Sequence, residues 1–71
     1  RAEDTLITSN VKARFFRENK VSPFYVKVVT ENKAVYLMGI LNEKEAKEAE
    51  EIAKNTNKVT KVIKVFEYLK N

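Results

Sequence analysis

The stretch TENKAVYLMGILNEKEAKEAEEIA, residues 30–53, changes its period part-way along, and that change decides the fold. Up to Leu41 the side chains alternate, which sends Val35, Leu37 and Gly39 to one face of a strand and Tyr36, Met38 and Ile40 to the other. Beyond Asn42 the apolar positions fall three or four apart. Ala46, Ala49, Ile52, Ala53 and Thr56 form one helical stripe to be buried. Asn42 stands at the switch as the expected helix cap, with Glu45 three residues on as its capping-box partner. The stripe is made mostly of small residues, so this helix can lie close on a sheet, and Gly39 is expected to make room for it. Glu43, Glu45, Glu48, Glu50 and Glu51 fill the outer helix face, where Glu43–Lys47 and Glu50–Lys54 stand as i,i+4 pairs.

Working outward, FYVKVVT (24–30) is β-branched and aromatic and reads as a strand. A two-residue turn at Asn32-Lys33 then pairs Glu31 with Ala34, Thr30 with Val35 and Val28 with Leu37. This register puts Val26 and Val28 on the face of Val35 and Leu37, and Tyr25, Lys27 and Val29 on the face of Tyr36, Met38 and Ile40. Upstream, Ile7, Val11 and Phe15 recur every fourth residue and predict a helix beginning near Leu6, capped by Thr5 or Asp4. It ends by Glu18–Asn19, ahead of Pro23, which pushes Ser22 toward extended geometry. VTKVIKVFEYL (59–69) is a third strand whose inward face stays open. Val59, Ile63, Val65 and Leu69 share one parity, while Val62, Phe66 and Tyr68 share the other. The order is αββαβ. A right-handed crossover makes the third strand parallel to the second, which gives an α+β fold: a three-stranded mixed sheet with two helices packed on one face.

Seventy-one residues allow one small domain, 1–71, held by only about 3–5 kcal/mol. With no cysteine and no histidine, neither a disulfide nor a Cys/His metal site can form, and no serine or threonine can be activated as in a triad. Paired catalytic carboxylates need a concave pocket, for which so small a domain has little room; the glutamate run reads as a solvated helix face. No catalytic residue, metal or cofactor is expected. No apolar run approaches the roughly 20 residues that span a bilayer. The chain opens on Arg1 and the charged run RAED, which reads as a piece of a longer protein. Fourteen Lys and Arg against ten Asp and Glu leave a net charge of +4, a mild bias toward anionic partners.

The strings DTLITSNVKARFF (4–16), VKVVTENKAVYLMG (26–39), EAKEAEEIA (45–53) and NKVTKV (57–62) resemble the BON domain, the bacterial osmoregulatory and nodulation-associated family, over about Asp4 to Leu69. Within that family the resemblance is to the second of two BON domains in periplasmic, outer-membrane lipoproteins, some of which carry a hemolysin label. It implies an αββαβ fold, no enzymatic activity, an envelope location in a longer two-domain lipoprotein, and association with anionic phospholipid through the first helix. Two departures stand out: Lys33 where the family has a turn glycine, and Asn57-Lys58-Val59 where it has V-x-G-V. Both bear on turn geometry, because lysine takes a positive φ less readily than glycine does.

At about 100° per residue, the first helix turns Leu6, Ser9, Ala13 and Phe16 away from the sheet, with Asn10 and Arg17 on one flank and Lys12 on the other. Apolar side chains rimmed by cations suit the headgroup boundary of a bilayer, with Lys12, Arg14 and Arg17 expected to meet phosphates. Leu6, placed in the first turn beside free N–H groups, is the sharpest candidate. The plainer reading is that Leu6 and Phe16 wrap the edges of a small core. A second surface is the sheet face away from the helices: Tyr25, Lys27, Val29, Tyr36, Met38 and Ile40, with Lys64, Phe66 and Tyr68 as an extension. It fits docking of a neighbouring BON domain or an envelope partner. Nucleic-acid stacking is not expected there, since the basic residues are scattered and no RNP-like string is present.

Overall fold

The computed structural model describes residues 2–19, 21–22 and 25–68. Pro23, Phe24 and Leu69, expected in the loop, at the start of the first strand and at the end of the last, lie outside them. The elements run α1 (Ala2–Glu18), β1 (Val26–Glu31), β2 (Ala34–Leu41), α2 (Glu43–Lys54) and β3 (Lys61–Tyr68). The sheet order is β1-β2-β3, with β1 antiparallel and β3 parallel to the central β2. The αββαβ reading and the mixed sheet therefore stand, with α1 laid over β1 and α2 over β2 and β3.

The hairpin keeps the expected register, with Glu31 opposite Ala34, Thr30 opposite Val35 and Val28 opposite Leu37. Asn42 accepts from the Glu45 N–H at 2.8 Å, and its own N–H reaches the Glu45 carboxylate at 3.3 Å, completing the capping box. Ala46, Ala49, Ile52, Ala53 and Thr56 are all buried; the Thr56 hydroxyl is satisfied by the Ile52 carbonyl at 2.8 Å. The core lies between the helices and the sheet, where Phe15, Leu37, Val11 and Val35 are its largest fully enclosed side chains.

The start of α1 differs from expectation. The helix begins at Ala2 rather than near Leu6, so neither Asp4 nor Thr5 is its cap. Both acidic residues of the first turn are committed to distant backbone and side chains. The Asp4 carboxylate accepts from the Asn32 and Lys33 N–H groups at 2.8 and 2.9 Å. Glu3 meets the ammonium groups of Lys33 and Lys58 at 3.6 and 3.4 Å. The Asp4 bonds support the Asn32–Lys33 turn through its backbone, so that it accepts lysine where the family has glycine. Asn32, Lys33 and Lys58 have φ of 53°, 68° and 73°, in the left-handed region where a side chain costs energy. Asp4 holds the first of these turns by its backbone, while Glu3 adds only half-exposed ion pairs to Lys33 and Lys58. Asp4→Ala is accordingly expected to lower stability by about 1–2 kcal/mol, read as a lower urea midpoint with an unchanged slope.

Gly39 also has a different reason from the expected one. A β-carbon there would overlap the Tyr25 carbonyl oxygen, so the residue accommodates the backbone of the adjoining strand segment rather than a helix. The open question about β3 is resolved by its pairing. Val35 faces Val62 and Gly39 faces Phe66, so Val62, Lys64, Phe66 and Tyr68 lie on the helix side and Ile63 and Val65 on the bare side. Val62 and Phe66, with Val59, pack against the core. The expected Glu50–Lys54 pairing gives way to a longer-range one, Glu50 to Lys64 at 3.0 Å.

Candidate lipid-facing surface

A helix on a sheet must bury one stripe, and α1 buries Ile7, Val11 and Phe15. Thr8, at the edge of that stripe, shares a hydrogen bond of 2.6 Å with Thr30 of β1 and fixes the helix's rotation. The opposite side is then committed to solvent. Leu6 is 59% exposed and Phe16 71%, and Ser9, Asn10, Lys12, Ala13 and Arg17 are exposed beside them. Leu6 and Phe16 sit ten residues apart, about 15 Å along the axis, with Ser9 and Ala13 between them. Seven of the eight residues expected on this surface are therefore brought together.

Arg14 is the exception. Its guanidinium turns toward α2, pairing with Glu18 at 2.8 Å and donating to the Ile52 carbonyl at 3.4 Å. It ties the two helices together and is not available to a phosphate. Lys12 and Arg17, by contrast, have no ion-pair partner among the described residues. Leu6 also shifts in meaning. Because α1 starts at Ala2, Leu6 lies in the second turn, away from the free N–H groups expected beside it.

The sheet's bare face collects Lys27, Val29, Tyr36, Met38 and Ile40, with Tyr25 exposed just ahead of β1. Ile40 is 57% exposed and Val65 56%. Ile63 and Val65 widen the surface, in place of Lys64, Phe66 and Tyr68, which face the helices. No local pattern singled out Ile63 and Val65, since β3 is apolar at both parities; only its pairing with β2 separates them.

One open concavity of about 450 Å³ is lined by Asn19, Asn42, Lys44, Glu45 and Glu48. Glu45 there is held by the capping box. Among the described residues no group of three acidic side chains is placed to hold a metal ion, and no helix is long and apolar enough to cross a membrane.

Residues 3–70 match the family model of the BON domain. The outer membrane lipoprotein DolP of Haemophilus influenzae is 40% identical over 68 residues, covering 96% of this chain and 35% of that protein. The 21 kDa hemolysin of Actinobacillus pleuropneumoniae is 40% identical over 67 residues, covering 94% of this chain and 34% of that protein. The chain thus spans about a third of the length of these relatives. Neither name states a reaction. With its αββαβ order matched by the family model from Glu3 nearly to its last residue, the chain belongs to the BON domain family.

Proposed function

We propose that this BON domain is a non-catalytic envelope module that docks on anionic phospholipid through the outward side of α1. One observation carries the reading: Leu6 and Phe16 stand exposed on the side of α1 turned away from the core, beside the cations Lys12 and Arg17, which have no ion-pair partner among the described residues. Apolar groups that enter the headgroup boundary gain burial, and cations near an anionic surface add about 1 kcal/mol each. Ser9, Asn10 and Ala13 between them are small enough to let the helix lie flat. A single helix of this kind binds weakly, so the module suits a chain that is anchored by other means. An outer-membrane location is supported by the name of the DolP relative. The same surroundings fit a role in outer-membrane integrity.

The test uses vesicles of phosphatidylglycerol and of phosphatidylcholine. Binding is expected to the first, to weaken with salt, and to fall about tenfold or more in Leu6→Glu and Phe16→Glu, since each loses an inserted side chain and adds a repelled charge. Unchanged binding in both variants refutes the assignment to α1.

A second reading is favoured by the bare sheet. Val29, Tyr36, Ile40 and Val65 form an apolar face that a neighbouring domain of a longer parent, or another envelope protein, would cover. Tyr36→Glu is expected to weaken that contact without touching vesicle binding, read by titration with the remainder of the parent chain.

A further inference from the structure

The two edges of the sheet are not alike. At β1 the helix-side residues Val26, Val28 and Thr30 are buried, because α1 lies over them. At β3, although α2 lies over its helix side, none of the eight residues is buried. An edge strand offers a row of unpaired N–H and C=O groups, and natural sheets blunt such edges with charged side chains, a bulge, a proline or a covering element; the charges of β3 (Lys61, Lys64 and Glu67) are of both signs and can therefore complement a second copy. β3 has no proline and is the longer edge, KVIKVFEY.

Its sequence is complementary to itself when read backwards. If two copies are laid antiparallel with Lys64 on the dyad, Lys61 of one copy falls opposite Glu67 of the other, Ile63 opposite Val65 and Val62 opposite Phe66. The Lys61–Glu67 match occurs twice by symmetry. A slip of two residues in either direction places Lys61 opposite Val65, or Glu67 opposite Ile63, and loses both charge pairs. A slip of one residue sets helix-side residues against bare-side ones. At the dyad two lysines would meet. Each is already paired with Glu50 of its own chain at 3.0 Å, so the axis carries four charges that sum to zero. That hydrogen-bonded carboxylate also holds the Lys64 ammonium above the ordinary lysine range.

We infer that β3 is a self-association edge, through which two copies of this chain join into a continuous six-stranded sheet, with Lys61 of each opposite Glu67 of the other. The dyad is perpendicular to the sheet, as edge-to-edge antiparallel pairing requires, so all helices lie on one side. The outward sides of the two α1 helices then face the same way, at opposite ends of the assembly. If α1 meets lipid, as proposed above, two weak contacts become one bivalent one.

The chain has no cysteine, so a single introduced thiol reports the register. Directly opposed residues on antiparallel strands bring their β-carbons to roughly 4.5–5.5 Å, close enough for a disulfide after slight adjustment. Lys64→Cys is expected to give a covalent dimer under mild oxidation without lipid, while Ile63→Cys and Val65→Cys stay monomeric. In equilibrium sedimentation, Lys61→Glu and Glu67→Lys should each raise the dimer dissociation constant at least about tenfold, and the double exchange should restore it. All these positions are outside the core, so circular dichroism should be unaltered. A chain that stays monomeric at millimolar concentration leaves the edge to a strand from elsewhere and overturns the inference. So does cross-linking at 63 or 65 in preference to 64, or failure of the double exchange to restore association. Because no lipid is present, these outcomes are independent of whether α1 binds a bilayer.

Discussion

Phe15→Ala is expected to leave the chain without a stable native state, whereas the same change one residue later leaves it folded. The two phenylalanines are neighbours in sequence and opposites in environment: Phe15 is fully enclosed and Phe16 is 71% exposed. Truncating an enclosed phenylalanine costs about 3–5 kcal/mol, through lost transfer energy and the cavity left behind. A domain of this size is held by about the same amount. Phe15→Ala should therefore abolish the cooperative thermal transition seen by circular dichroism. Phe16→Ala should move stability by no more than about 0.5 kcal/mol, as exposed substitutions do, while weakening association with phosphatidylglycerol vesicles. A Phe16 variant that unfolds with Phe15→Ala would show that both rings belong to the core, and would remove the lipid surface with them.

The second large effect is expected at Gly39. Adding one carbon there drives it into the Tyr25 carbonyl oxygen, and a backbone atom held next to the paired Val26 has little room to yield. The strands must separate around the Val26–Gly39 pair, the last of the β1–β2 ladder. We expect Gly39→Ala to lose about 3 kcal/mol, at the upper end of what overpacking costs. Amide exchange should then speed up near Val26 and Met38 before it does so in α2, because the strain enters at one end of the hairpin. Exchange rising uniformly over the whole chain would point instead to global unfolding without local strain.

What could be read from the sequence is what neighbours within a few residues decide. The capping box at Asn42 and Glu45, the two-residue turn with its register, and the stripe from Ala46 to Thr56 each depend on short-range geometry. Leu6 and Phe16 were placed outward by helical spacing alone, and they are exposed. What escaped depends on partners far along the chain. Asp4 looks like a cap until the Asn32 and Lys33 amides, twenty-eight and twenty-nine residues on, take its carboxylate. Arg14 looks like a headgroup contact until the Ile52 carbonyl, thirty-eight residues away, is brought beside it. Gly39 has its reason in Tyr25, across the hairpin. β3 is apolar at both parities, so periodicity could not choose its face; only the pairing with β2 does.

The layering has a consequence for how such a domain works in place. Its oily helix side and its naked strand side are back to back, separated by the whole interior. Whatever rests on one is hidden from the other, and neither need let go for the other to be engaged. If both proposed contacts are made, the fold serves as a spacer with two independent grips, keeping a protein partner one molecule's depth off the lipid surface.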